Sequence, residues 1–426
     1  MKITGLYTDY YELTMAQGYL LSGMGYRPAT FDYFFRANPF QGGYVVFAGI
    51  SDIVEILESL DFDDEDIAYL RDQGFHEDFL NYLKQFRFKG NIYAAREGEL
   101  IFPKEPVIRV EGTVIEAQII ETLLLNIVNY QSLVATKASR IRQAAGNKKV
   151  LDFGLRRAQS YGGYHASKAA VIGGIDGTSN VQAARQFQLP ASGTMAHSWI
   201  QAFDNELQAF RSYAEHFPDQ CILLVDTYDT LNNGVPNAIT VAKELEQKGH
   251  KLIGIRLDSG DLAYYARKAR KQLDDAGLDY VKIAVSNQLD EYLIKSLKDQ
   301  QAPIDLFGVG TRLVTGHESP ALDGVYKLGS FNHEPRLKIS ENVDKITLPG
   351  SKEILRYLDE EGYFYGDGII QSSQTAEEVD YIFHPNFRDK FSKVDTYTSE
   401  KLLTQLVESG QRSRRLSSAT EASQYR

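Results

Sequence analysis

Through the middle of this chain, one histidine, a few arginines and several aspartates stand in short Gly-punctuated motifs suited to handling anions. His197, in ASGTMAHSW, follows a Gly-Thr turn and precedes an amphipathic helix expected over Trp199–Phe210. A helix N-terminus favours negative charge, and an imidazole there can hold or accept a phosphate. A core histidine with a purely structural role is the plainer alternative. Asp226 and Asp229, in VDTYDT, could orient the free nitrogen of an imidazole, or could cap the turn that follows. RLDSGD places Arg256, Asp258 and Asp261 within six residues. Arginine grips planar carboxylates through two parallel hydrogen bonds, and an aspartate can accept from both ribose hydroxyls. Asp261 is better placed as a helix cap. GVGTR (Gly308–Arg312) and GGIDGTSN (Gly173–Asn180) could bring backbone N–H groups to phosphate oxygens, or be simple turns. DFGLRR (Asp152–Arg157) sets Phe153 beside cations. The kinase reading of DFG fails, because no HRD catalytic loop and no VAIK-like lysine accompany it.

These motifs need elements to hold them. VLDFG (Val150–Gly154), CILLVD (Cys221–Asp226), KLIGIRLD (Lys251–Asp258), VKIAVS (Val281–Ser286) and DLFGVG (Asp305–Gly310) are continuous apolar runs of strand length. Helical patterns over Asn237–Gln247, Asp261–Ala276 and Gln288–Lys298 separate them. Unbroken apolar strands alternating with helices indicate parallel βα units, hence a barrel or a doubly wound sheet. Each run ends in polar or Gly residues, and such folds bind ligands at the carboxyl ends of their strands. Before this region, Phe31–Arg36 and Tyr44–Gly49 read as strands and Ile50–Leu60 as a helix. Ile92–Ala95 and Val107–Val110 read as an antiparallel pair, and Val114–Ala145 as one long helix ending near Gly146. After Ser330 short strands return (Arg336–Ile339, Lys345–Leu348, Gly362–Tyr365), consistent with a return to the N-terminal domain. From Ser409 the polar, Ser-rich tail is expected to fray.

The 426 residues are too many for one ordinary core, and 43% hydrophobic with 24% charged residues is a globular balance. A net charge of −11 weighs against broad nucleic-acid binding. No run approaches the roughly 18 uncharged apolar residues of a membrane helix. The start, MKITGLYTDYYEL, lacks the apolar stretch of a secretory signal, and the single Cys221 suits a reducing cytoplasm as a small core residue. Asp61–Leu70 is acidic but lacks the Gly and spacing of a calcium loop, so it reads as a solvated helix start.

Taken in order, TDYYELTMAQGY, DFGLRRAQ, GGIDGTSN, SGTMAHSW, LLVDTYDT, GIRLDSGDL and FGVGTRLVT resemble the nicotinate phosphoribosyltransferase family. The resemblance implies an irregular α/β barrel with a second α/β sandwich domain built from both chain ends. The expected segments are 1–115 and 326–410 for the sandwich, 116–325 for the barrel, and a flexible tail at 411–426. It implies transfer of a phosphoribosyl group from phosphoribosyl pyrophosphate to nicotinate, coupled to ATP hydrolysis and formally classed as a ligase reaction, at the entry to NAD salvage. It also implies substrate-bound Mg2+ and a cytoplasmic homodimer with sites at the subunit interface. By motif, His197 looks like the histidine phosphorylated from ATP, and Asp226 like the carboxylate hydrogen-bonded to it. Tyr11 and Phe153 resemble the aromatic pair around the pyridine ring. Thr194 and Arg256 match the holders of the nicotinate carboxylate, and Asp258 the ribose ligand. Gly310 and Thr311 match the phosphate-binding turn, with Arg156 nearby and Arg36 reaching in from the other subunit.

Nicotinamide-using relatives place an Asp where this sequence has Thr178 or Ser179, and a second carboxylate there would repel nicotinate. That favours the acid as substrate. Quinolinate-using relatives rank below both. A phosphosugar isomerase or aldolase barrel, or a non-catalytic metabolite-binding barrel, remains as a reading from a different class.

Overall fold

The computed structural model describes residues 3–339, 347–384 and 387–425. The chain forms two compact units, Met1–Leu133 with Ala321–Arg426, and Val134–Pro320. No helix among the described residues is long and apolar enough to cross a membrane.

The first unit is built around a seven-stranded antiparallel sheet in which the two chain ends interleave. Its order is Glu334–Pro335, Gly324–Phe331, Pro28–Phe35, Ile108–Thr113, Asn91–Ala94, Thr404–Glu408 and Gln411–Arg412. Aromatic and β-branched residues make these strands and supply the core. Phe31 stacks on Tyr326 with ring centroids 4.9 Å apart, and Phe35 and Ile92 are fully buried. A second sheet of Phe364–Gln371, Lys352–Leu358 and Thr398–Lys401 belongs to the same unit. Its Lys352 reaches Asp32 of the large sheet at 2.7 Å, with both side chains buried. The expected Ile92–Ala95 and Val107–Val110 pair forms in antiparallel register. Asp63 caps the acidic helix Asp64–Asp72. Of the short strands expected after Ser330, Lys345 and Ile346 fall outside the described residues.

Two expectations here are corrected. The helix expected over Val114–Ala145 is two helices, Val114–Ile119 and Glu121–Ala145. Thr113 and Glu116 form a capping box that starts the first, and Ile120 closes it with an N–H bond back to Gln118 before the second begins. The tail, expected to fray, is ordered instead. Gln411–Arg412 pairs with Thr404–Glu408, and Ser418 caps Ala419–Ala422, whose alanines are buried. A tail that is polar in composition thus still buries two small apolar residues.

The second unit carries six parallel strands in the order Gly177–Thr178, Lys149–Asp152, Leu306–Val309, Lys282–Val285, Gly254–Leu257 and Ile222–Leu224. Their apolar runs are buried as continuous runs should be in a sheet covered on both faces. Helices alternate with them, among them Tyr161–Ile172, Val235–Gln247, Leu262–Asp275 and Glu291–Asp299. The helix expected over Trp199–Phe210 is split into His197–Gln201 and Glu206–His216, because Asn205 caps the second by accepting from the Gln208 N–H. The polar motifs begin within the last residues of these strands or directly after them, as Arg256 does in Gly254–Leu257 and Asp152 in Lys149–Asp152, and run on into the loops beyond.

Candidate active site

The carboxyl ends of the parallel strands set the site residues of the second unit side by side. Ladder bonds carry the register into the loops: the Ser286 N–H donates to Leu257 O at 3.0 Å and the Phe153 N–H to Val309 O at 2.6 Å. Ser286 and Asp258 therefore leave neighbouring strands at one level.

Arg256 is the centre of the arrangement. Its Nε donates to Ser286 Oγ at 2.9 Å, and Nη1 donates to Thr194 Oγ1 at 3.1 Å and Met195 O at 3.3 Å. Nη2 lies 3.1 Å from Asp258 Oδ1. A guanidinium has five N–H donors, so one on Nη2 stays available. The group also lies over the Phe153 ring, 5.7 Å from its centroid. Phe153 has room because residue 308 is glycine: a Cβ there would stand 2.5 Å from the ring. The preceding residue, Asp152, is wholly buried, and its carboxylate accepts from the Gly154 N–H, Ser167 Oγ and Thr178 Oγ1 at 2.7–2.8 Å. Burial raises its pKa, and those three donors oppose the rise.

His197 opens its helix with a half-exposed ring. Nδ1 is 3.1 Å from Thr227 Oγ1, and Nε2 is 3.9 Å from Asp258 Oδ2. Asp226 does not hydrogen-bond this ring, contrary to the expectation from resemblance. Its Oδ2 accepts from the Asp258 N–H and Ser259 Oγ, each at 2.7 Å, so it fixes the RLDSGD loop. The threonine one residue on reaches the imidazole in its place. Asp226 also helps raise the pKa of buried Glu206, after burial itself, while Asn237 opposes the rise.

Asp261 and Asp229 are caps, accepting from the N–H groups of Tyr264 and Asn232. Gly310 and Thr311 begin the turn Thr311–Val314, and a Cβ at Gly310 would lie 3.2 Å from Phe153 O. Arg312, the last residue of GVGTR, pairs through Nη1 with buried Asp290. Arg156 is exposed in the turn Leu155–Arg157.

Tyr11 and Arg36 belong to the first unit. Tyr11 is 46% exposed, and burial of its hydroxyl, with Glu121 and Glu12 beside it, raises the phenol pKa. Arg36 pairs with Asp323 at 3.2 Å. The second unit thus gathers Phe153, Thr194, His197, Asp226, Arg256 and Asp258 into one bonded cluster. Sequence reasoning passed over Ser286, Thr227 and Asp152. All three stand at the polar ends of apolar runs, but hydroxyls and capping aspartates are too common there to single out.

A parallel α/β body whose strand ends present a free guanidinium N–H, an aromatic face and an imidazole is that of an enzyme for planar anionic small molecules. Comparison with known proteins narrows this. Residues 6–129 match the nicotinate phosphoribosyltransferase (NAPRTase) N-terminal domain and residues 148–361 the nicotinate phosphoribosyltransferase (NAPRTase) family. Nicotinate phosphoribosyltransferase of Bacillus subtilis is 46% identical over 397 residues, 91% of this chain and 81% of that protein. That of Dictyostelium discoideum is 38% identical over 484 residues, 99% of this chain and 82% of that protein. The crystal structure of human nicotinic acid phosphoribosyltransferase superposes with a TM-score of 0.89 at 31% identity, covering 98% of this chain and 92% of that one. The chain belongs to the nicotinate phosphoribosyltransferase family.

Proposed function

We propose that this enzyme converts nicotinate, phosphoribosyl pyrophosphate, ATP and water to nicotinate mononucleotide, pyrophosphate, ADP and phosphate, through a phosphorylated His197, as the entry to NAD salvage. The observation that carries this reading is Arg256, partly buried and held by Ser286, Thr194 and Asp258 with one N–H to spare beside the Phe153 ring. In this reading the pyridine ring lies on Phe153, with Tyr11 as its second aromatic face. Its carboxylate takes the free Nη2 N–H and the Thr194 hydroxyl. Asp258 accepts from the ribose, while Gly310, Thr311, Arg156 and Arg36 meet the phosphates. The chain's work is then alignment of the ring nitrogen with the anomeric carbon and stabilisation of departing pyrophosphate, with no covalent step of its own at the sugar.

Phosphorylation belongs to Nε2, because Nδ1 faces the Thr227 hydroxyl and can keep its proton by donating there. Transfer from ATP forms the Nε2–P bond as the bond to the ADP oxygen breaks, and water later releases phosphate. Phosphate on His197 adds negative charge beside Asp258, which magnesium carried on the phosphates would offset. Magnesium is expected to come with the phosphates and not to sit in a protein cage. Thr178 or Ser179, standing where nicotinamide-using relatives have an Asp, supports the acid over nicotinamide, and the Thr178 hydroxyl is spent on buried Asp152. The reading also takes the parallel sheet as part of an irregular barrel, the first unit as an α/β sandwich, and the working form as a homodimer. Free, buried Cys221 supports a reducing cytoplasm. Incubation with γ-labelled ATP tests the step: acid-labile label on His197 is expected, and a protein that stays unlabelled while making nicotinate mononucleotide would remove it.

A further inference from the structure

We propose that Ser286 is a positioning residue that ties the nicotinate subsite to the phosphoribosyl subsite by holding Arg256 and Asp258 as one hydrogen-bonded unit. The inference rests on the roles given above to those two residues and adds a third that neither motif contains. Ser286 follows the strand Lys282–Val285, which pairs in parallel with Gly254–Leu257, Val285 opposite Leu257. That register alone brings its side chain between Arg256 and Asp258.

A serine hydroxyl has one proton to give and two lone pairs. Here the proton goes to Asp258 Oδ1 and a lone pair receives Arg256 Nε at 2.9 Å. With 4% of its surface exposed, Ser286 has little water to turn to. Its backbone is fixed by the bond from its N–H to Leu257 O at 3.0 Å. Arg256 Nη2 meets the same Asp258 oxygen at 3.1 Å, which closes a three-residue ring. The other oxygen, Asp258 Oδ2, lies 3.9 Å from His197 Nε2, and in the function proposed above Asp258 also meets the ribose. A displacement of the guanidinium by a bound carboxylate is therefore felt at the aspartate that meets the sugar. Without the hydroxyl, Arg256 and Asp258 keep one contact in place of two and can swing apart.

The test is steady-state kinetics of the full-length enzyme with nicotinate and phosphoribosyl pyrophosphate each varied. Ser286→Ala is expected to raise both KM values together, each by about tenfold, the effect of losing a bond to a charged group. Its kcat should stay within a few-fold, and Ser286→Thr, which keeps the hydroxyl, should restore both. Ser286→Cys, similar in shape but a weak donor, should raise both less than alanine does, and serves should the alanine variant not fold. A rise in one KM only, or a fall in melting temperature with both KM values unchanged, would overturn the proposal. Wild-type protein that makes no nicotinate mononucleotide would instead overturn the assigned function, so the two failures are distinguishable.

Discussion

At His197 a half-exposed imidazole is held from one side by a hydroxyl and approached from the other by a carboxylate, which leaves one nitrogen for phosphate. His197→Ala should abolish the stimulation of nicotinate mononucleotide formation by ATP while the fold and melting temperature persist. Rates with and without ATP that differ as in wild type would contradict that. Arg256→Ala should weaken nicotinate on the order of 100-fold, as loss of a buried charge partner does, and nicotinamide far less. Titration of both ligands by calorimetry reads the difference, and equal losses would show that Arg256 does not read the carboxylate. Glu12 offers a pH test. It is fully buried, and burial pushes its pKa up to about 7, with Thr122 and Thr8 opposing. The folded state keeps a proton that the unfolded chain releases near pH 4.5, so Glu12 costs stability as pH rises from about 4.5 to about 7. The shift corresponds to roughly 3 kcal/mol at full ionisation. Glu12→Gln should flatten that fall in thermal scans between pH 5 and 8, and an unchanged slope would remove Glu12 as its cause. Residue identities in the motifs were legible because charged groups at strand ends are conspicuous. The Thr227 contact was not, since which of two adjacent residues faces a ring depends on backbone direction at the end of the strand.

Elements behave more simply. The five apolar runs became five parallel strands because burial on both faces demands unbroken hydrophobicity, a pattern visible in sequence. The sixth strand, Gly177–Thr178, has two residues and no such signature. Helix breaks at Ile120 and before Glu206 escaped notice, because a cap such as Asn205 hides within a run of helix-compatible residues. Gly308 shows how an element shapes the site. Gly308→Ala sets a methyl against the Phe153 ring, and overpacking of that kind, at about 1–3 kcal/mol, should raise the KM for nicotinate roughly tenfold. Circular dichroism should still report an intact fold. A normal KM would mean that Phe153 does not carry the pyridine.

For the molecule as a whole, the first unit depends on chain ends some three hundred residues apart. A return of the C-terminal segment to the N-terminal domain was readable from the change of rhythm after Ser330; the strand order was not, since pairing between distant segments leaves no local trace. Asp32 and Lys352 seal that junction. Burial pushes the Asp32 pKa up to about 6 even with the Lys352 ammonium beside it. Lys352→Met should cost about 3–5 kcal/mol in denaturant unfolding, and adding Asp32→Asn should recover part of it. A loss under about 1 kcal/mol would show that the pair is not holding the sheets together. The central claim, that the gathered strand ends join nicotinate to a phosphoribosyl group, is tested most directly by incubating the purified protein with phosphoribosyl pyrophosphate, ATP and magnesium, and with nicotinate or nicotinamide in parallel. Nicotinate mononucleotide and pyrophosphate in equal amounts, with little product from nicotinamide, is the result expected. Equal turnover of both bases, or product from neither, would contradict it.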